Sequence, residues 1–484
     1  MTPVSDSTLE ALHTAAAEIF TGAIKACSIA SAFDRRLHFE GDTLHRLMPD
    51  GSGPSLIDLS AYKQVFVIAL GKAAGPMLEV LLARMNRRKG LRGICCTNHM
   101  PFERNWRFRY FESGHPLPNE DSFAAARGAL TLLRRARKDT LVFFLISGGG
   151  SAMFDLPIDP QISLEETIAF HGLLLASGAP INEINILRKH FSAVKGGRLA
   201  MAAPEATKVS LLLPDVPLRT LDALSSGPTS PDHSTVVEVR QLLAKYELLP
   251  KLPASIRAFF ERNDMPESPG NKTWRPAFLP KFPWADAARP RQMTSAGNLS
   301  GEETAFRDSV FEILLSSHDL VENSRALAQR AGYHVVVDNS CDDWDYADAA
   351  RYLLGRFHAL RAKQNQFCLI SVGEVTVTLD HAPGAGGRNQ QFALQCAEEL
   401  SRHPGERLTV LSAGSDGIDG NTQAAGAIAD PTTLERARFF GFDPARSLAD
   451  FNACPLFTAL GDSVVTGPTG HNLRDLRLLI SENA

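Results

Sequence analysis

Residues 141–152, LVFFLISGGGSA, run six unbroken apolar side chains into a serine and three glycines. A short continuous apolar run closed by glycines reads as a strand buried on both faces, the kind found in a parallel sheet covered by helices. The glycines let backbone N–H groups approach an anion closely. A comparable turn, 384–391, GAGGRNQQ, follows the apolar run 375–379 and adds Arg388, whose planar guanidinium is permanently charged. Each half of the chain therefore carries the outline of a phosphate or carboxylate site.

Outward from 141–152, further apolar runs recur at 65–70, 93–96 and 209–213, alternating with helical patterns. One of these, 163–177, opens with the capping pair Ser163 and Glu166 and closes at Gly178. Downstream the comparable runs are 311–315, 335–337, 368–372, 375–379, 408–412 and 463–466. Both halves read as α/β. Between Met265 and Pro290 lie six prolines with Trp274 and Trp284, too broken for a helix or a central strand. The chain thus divides into an α/β domain over 1–264, a proline-rich connection over 265–300 and a second α/β domain over 301–484.

A chain of 484 residues exceeds one ordinary core, which agrees with this division. Its composition, 44% hydrophobic and 21% charged with net charge −4, is globular and lacks the basic footprint of a nucleic-acid binder. A small ligand is the expected partner. Seven cysteines without regular spacing fit a reducing, cytoplasmic setting. At the N-terminus Leu9, Leu12, Ile19, Phe20 and Ala23 recur at helical spacing among acidic residues, as in a packed amphipathic helix. No apolar run is long enough to span a bilayer, so no membrane partner is expected.

In open α/β sheets ligands gather at the carboxyl ends of strands. Just past those ends stand Lys72 in GKAA, the turn Ser147, Gly148, Gly149, Gly150 and Ser151, Asp215 after Pro214, and SSGPT from Ser225. Asp416 and Asp419 lie in AGSDGIDGNTQAAGA, a glycine-rich loop before an alanine-rich, helix-like segment. Two such carboxylates suit magnesium, which keeps several waters and binds substrate phosphates; an Asx-turn or helix cap is the structural alternative. On 181–200 a helical spacing puts Arg188, Ser192 and Lys195 on one face before Gly196 and Gly197, either a solvated basic face or one wall of a site for a doubly anionic ligand. There is no GxxxxGK[ST], no completed GxGxxG, no zinc spacing and no GxSxG.

The ordered set GKAA at Gly71, TNH at Thr97, SGHPLPNEDS at Ser113, LISGGGSA at Leu145, SGAPINEINILRKHFSAVKGGRLA at Ser177, SSGPTSPD at Ser225, GAGGRNQQFAL at Gly384, AGSDGIDG at Ala413 and GPTGHN at Gly467 resembles the glycerate 2-kinases of the MOFRL type, some of whose relatives are called hydroxypyruvate reductases. The resemblance implies two Rossmann-like α/β domains with an active-site cleft between them, and transfer of the γ-phosphoryl group of ATP to the 2-hydroxyl of D-glycerate with Mg2+. Carried over residue by residue, it makes Lys72, Asp215 and Arg388 catalytic. The turn Ser147–Ser151, Lys195, Gly386, Gly387 and Asn389 would hold nucleotide, and Asp416, Asp419 and Glu374 the metal. Phosphoryl transfer needs mainly positioning and charge neutralisation, which these residue types supply. The chain departs from the family pattern at Pro214, at Leu218-Arg219-Thr220, at Val375 and at His471. These departures point to a different hydroxy acid or to weakened activity. An NAD-dependent hydroxypyruvate reductase and a non-catalytic ligand-binding relative are the competing readings.

Overall fold

The computed structural model describes residues 6–47, 54–85, 88–269, 306, 309–361, 366–379 and 381–482. The chain forms two compact units, a first comprising Ala32–Leu314 and a second comprising Met1–Ser31 with Leu315–Ala484.

In the first unit, β1 (Leu37–Glu40), β2 (Thr43–Leu47) and β3 (Pro54–Asp58) make an antiparallel ribbon. The main sheet contains β4 (Gln64–Leu70), β5 (Leu91–Thr97), β6 (Phe108–Glu112), β7 (Thr140–Ser147), β8 (Thr207–Leu213) and β9 (Ser309–Ile313) in the order β6-β5-β4-β7-β8-β9, all parallel. The chain builds one half of the sheet outward from β4 and the other outward from β7. The order therefore reverses between these two strands, the position at which open α/β sheets leave a crevice. Every residue of β7 is buried, as its unbroken apolar reading demands. Phe66, Ile68 and Leu70 of β4 pack in one core with Ala125, Ala129 and Leu133 of the helix Glu120–Leu133. The helix Leu164–Ala176 carries the expected Ser163–Glu166 capping box, and Gly178 beyond it takes a left-handed conformation, φ 72°.

The second unit is also α/β, but its sheet is mixed. It holds β10 (His334–Val337), β11 (Gln366–Val372), β12 (Leu408–Gly414), β13 (Gly426–Ala429), β14 (Ser463–Val464) and β15 (Asp475–Glu482), ordered β10-β11-β15-β12-β13-β14. Only β10 and β11 pair in parallel, because β15 returns antiparallel between β11 and β12. The segment 375–379, expected as a strand, makes one isolated bridge from Thr376 to Asp345, since β15 occupies the place beside β11. The alanine-rich stretch after Asp419 leads into β13 rather than a helix, paired with β12.

Two elements change sides relative to the division read from sequence. The helix Asp6–Ala26 buries Leu9, Leu12, Ile19, Phe20 and Ala23, and it packs on β12 and β15 of the second unit. His13 Nε2 lies 2.8 Å from Asp430 Oδ2 there. The run 311–315, assigned to the second domain, supplies β9 to the first, hydrogen-bonded to β8. Of the proline-rich connection, 270–300 lies outside the described residues, whereas Met265 packs into the helical core with Phe259 and Phe260. Among the described residues no single helix is long and apolar enough to cross a membrane.

Candidate functional site

At the crevice between β4 and β7 the two turns are tied together. Lys72 N donates to Gly148 O at 2.9 Å, and Ala73 N donates to Ser147 Oγ at 3.0 Å. Gly71, at φ 104°, leaves no room for a Cβ, which would run into the Ser147 carbonyl. On the far side Ser225 Oγ donates to Ser147 O at 2.7 Å, and Ser226 Oγ lies 2.8 Å from Ser151 Oγ. A Cβ on Gly148 would overlap the Asp215 carboxylate, and one on Gly149 would touch both His115 and Lys72. Lys72, the glycine turn and Asp215 thus share one small region at the strand ends.

The N–H groups of Gly148, Gly149, Gly150 and Ser151 donate to no acceptor among the described residues. Backbone N–H groups left open beside a lysine form a receptor for an anion. Behind them, Arg188 is buried and its Nε has no hydrogen-bond partner among the described residues. His115, which the sequence reading named only within a motif, belongs here too. Desolvation and the nearby Lys72 and Arg188 push its imidazole down to about 4, so it is neutral at physiological pH.

Lys195 is corrected. The segment 181–200 is not one helix: Ile181–Phe191 ends at Ser192, whose backbone is extended, and Lys195 lies beyond it. Its side chain is 1% exposed and its ammonium forms an ion pair with Asp155, which also meets His171 Nε2 at 2.7 Å. Burial pushes Lys195 down to about 8 against the pull of Asp155. Burial alone would raise the Asp155 carboxyl, but Lys195 and His171 hold it well below the usual range. This is an internal ion-pair network rather than a solvated basic face. Nothing in the sequence pattern marks Asp155 and His171 as its partners.

In the second unit, Arg388 opens the helix Arg388–Leu400 and clasps Asp475 with two bonds, Nε to Oδ2 at 2.6 Å and Nη2 to Oδ1 at 3.1 Å. Glu374 Oε1 lies 2.9 Å from Nη2. Burial opposes the charge, but Asp475 and Glu374 raise the guanidinium further above its ordinary range. Three N–H groups of the turn before it are bonded within the unit. Gly384 N donates to Asp450 O, Ala385 N to Asn452 Oδ1 and Gly386 N to Asn421 Oδ1. Asn389 N and Gln390 N donate to the two oxygens of Asp419 at 3.0 and 2.8 Å. Of the residues read as holding nucleotide, Gly386 bonds through its N–H to Asn421, Asn389 is 1% exposed, and a Cβ on Gly387 would run into Asp419.

Each carboxylate of the trio read as metal-binding has a protein partner. Asp419 closes the helix N-terminus, Glu374 faces Arg388, and Asp416 Oδ1 accepts from Ile418 N at 3.1 Å in an Asx-turn. Among the described residues no group of three or more His, Cys, Asp or Glu is arranged to hold a metal ion. The protein side chains do not fit a magnesium cage, and no step is derived through one. His471 is buried, and burial pushes its imidazole down to about 4. The Arg219 side chain lies outside the described residues.

Fold and site together define an α/β protein in which the parallel sheet of one unit carries a glycine turn with open N–H groups at its switch point, and the other unit has a mixed sheet. Residues 15–261 match the domain of unknown function DUF4147, and residues 367–475 match the MOFRL family. The chain is 33% identical to a glycerate 2-kinase of Pyrococcus horikoshii over 86% of its own length and 87% of the relative's. It is 32% identical to a putative hydroxypyruvate reductase of Agrobacterium vitis, with 86% of each chain covered. The crystal structure of a glycerate kinase from Thermotoga maritima superposes with a TM-score of 0.76 at 28% identity, covering 98% of this chain and 100% of that one. The chain belongs to the glycerate kinase family of the MOFRL type.

Proposed function

We propose that the chain is a kinase that moves the terminal phosphoryl group of ATP to the 2-hydroxyl of D-glycerate, or of a closely related small hydroxy acid, giving 2-phosphoglycerate. The observation that carries this reading is the open N–H turn Gly148–Ser151, bonded to the Lys72 turn and packed against Asp215. The turn would cradle nucleotide phosphates, and Lys72 would offset charge on the transferring group. The 2-hydroxyl oxygen forms the new bond to phosphorus, the bond from the terminal phosphorus to the bridging oxygen breaks, and ADP leaves with that oxygen. Asp215 orients the hydroxyl and takes its proton. Arg388, held flat by Asp475 and Glu374, is proposed to bind the substrate carboxylate or the phosphoryl oxygens with its remaining N–H edge. The nucleotide is proposed to bring magnesium on its own phosphates, without a protein carboxylate cage. The names of the relatives support the same substrate class.

Turnover of D-glycerate with ATP and magnesium, read as ADP release and as the position of phosphate on the product, checks the reading. Lys72→Ala and Arg388→Ala are each expected to lower kcat/KM about a thousandfold or more. Near-normal rates in both variants end the assignment. The name of the Agrobacterium vitis relative raises the reductase reading, but the first βα turn here reads GKAAGP and lacks a dinucleotide fingerprint. NADH is expected to remain unoxidised with hydroxypyruvate. Ligand-induced thermal stabilisation without any product would instead identify a non-catalytic relative.

A further inference from the structure

At the amino ends of β5 and β6, the opposite end of the first unit's sheet from the glycine turn, lies a groove of about 500 Å³. Arg92, Arg107, Arg109, Arg127 and Arg135 line it, over a floor that includes Gly128, and no acidic residue lines it. Five like charges around so small a volume repel one another, a cost that a fold ordinarily offsets with interleaved carboxylates. Four of the five, Arg92, Arg109, Arg127 and Arg135, form no ion pair among the described residues.

Aromatic rings hold most of these guanidinium groups. Arg92 sits over Phe66 at 5.5 Å, Arg107 over Trp106 at 5.2 Å, Arg109 over Phe111 at 5.0 Å and Arg127 over Phe123 at 5.7 Å. Stacking fixes the plane of a guanidinium. Arg92 also donates to Gln64 Oε1 and Arg107 to Arg88 O, whereas no such bond is made by the side chains of Arg109 and Arg127 among the described residues. A Cβ on Gly128 would lie 3.0 Å from Ile94 Cδ1 and 3.5 Å from Arg109 Nη1, so this lining glycine sits next to that fork. Planar forks held by rings and lining one cavity are suited to bidentate binding of phosphate oxygens. Arg, unlike Lys, offers each phosphate two parallel bonds.

We propose that this groove is a second anion site, separate from the Lys72 turn, that binds a small ligand carrying a chain of two or three linked phosphates. A single phosphate would neutralise only part of this positive set. A phosphate chain spans more of the forks and neutralises the set. The site stands independently of the kinase reading, because none of its residues belongs to the crevice between β4 and β7.

The test is titration calorimetry with inorganic tripolyphosphate at about 150 mM salt, where charges more than about 8 Å apart are screened. The wild-type chain and Lys72→Ala are both expected to bind one tripolyphosphate in this groove with similar affinity. The double variant Arg109→Gln/Arg127→Gln is expected to bind at least about tenfold more weakly, two charge-assisted forks being lost. Arg135→Gln, a single change at an exposed residue, provides a milder loss if the double variant melts early. Inorganic phosphate is expected to bind more weakly than tripolyphosphate. In a parallel arm with ATP on the Lys72→Ala chain, equal affinity identifies the free phosphate chain as the ligand and tighter binding identifies a nucleotide as its source. Absence of binding, binding unchanged in both arginine variants, or binding abolished only by Lys72→Ala overturns the proposal.

Discussion

Asp419 shows how a residue type that was legible in the sequence can hold a role that was not. Two aspartates three apart in a glycine loop suggested metal, yet Asp419 is spent on the N–H groups of Asn389 and Gln390 and is 2% exposed. Burial raises its carboxyl to about 6, with those N–H bonds pulling the other way and Asp475 adding to the rise. A carboxyl raised in the folded state binds its proton more tightly than in the unfolded chain. Its contribution is therefore fully present below the ordinary value near 3.8 and is lost as pH rises through about 6. The loss is on the order of 3 kcal/mol at about 1.4 kcal/mol per pKa unit. Asp419→Asn cannot titrate, so its stability relative to wild type is expected to climb by about that amount between pH 4 and pH 7. Urea unfolding across this range checks it, and parallel profiles for the two chains would sink the argument. Arg388 was readable because its charge and its turn are local; its clasp Asp475 was not, lying 87 residues away on a strand that only the fold brings near.

Among elements, legibility followed burial on both faces. β7 could be read directly, since a central parallel strand buries every side chain and shows it as a nearly unbroken apolar run, and β8 shows the same over 211–213. β15 is just as central but carries Asp475 and Arg477, both buried, and so escaped that test. Arg477 is tolerated there because it sits 5.0 Å from the Phe392 ring and donates to Gly373 O at 3.2 Å. The segment 375–379 failed in the opposite sense, with strand-like residues while β15 takes the place beside β11. At the crevice the joint between β4 and β7 depends on Ser147, whose hydroxyl accepts from Ala73 N and donates to Leu70 O at 3.3 Å. Ser147→Ala leaves the buried Ala73 N–H without that partner and is expected to cost about 1–3 kcal/mol. Because the same bond fixes the Lys72 turn against Gly148, kcat/KM for glycerate should also fall, by more than the stability loss explains at a temperature where the variant remains folded. Thermal melting together with steady-state kinetics measures both, and unchanged kinetics at full folding would contradict the role given to this joint.

For the whole molecule, sequence order is a poor guide to which unit a segment stabilises. The periodicity of the N-terminal helix announced a buried face but could not say what buries it. The structure assigns that face to the second unit, where Asp6–Ala26 packs on β12 and β15 and Gly22 approaches Leu327. β9 shows the converse, closing the first sheet from a position far along the chain. Phe20 is fully buried, and Phe20→Ala should cost about 3–5 kcal/mol through lost transfer energy and the cavity left behind. Since the cavity opens against the second unit's sheet, amide exchange should accelerate in β12 and β15 while β4 and β7 keep their protection. The measurement is native-state hydrogen exchange on wild type and Phe20→Ala. Acceleration confined to β4 and β7 would return this helix to the first unit, where its sequence position alone would have placed it.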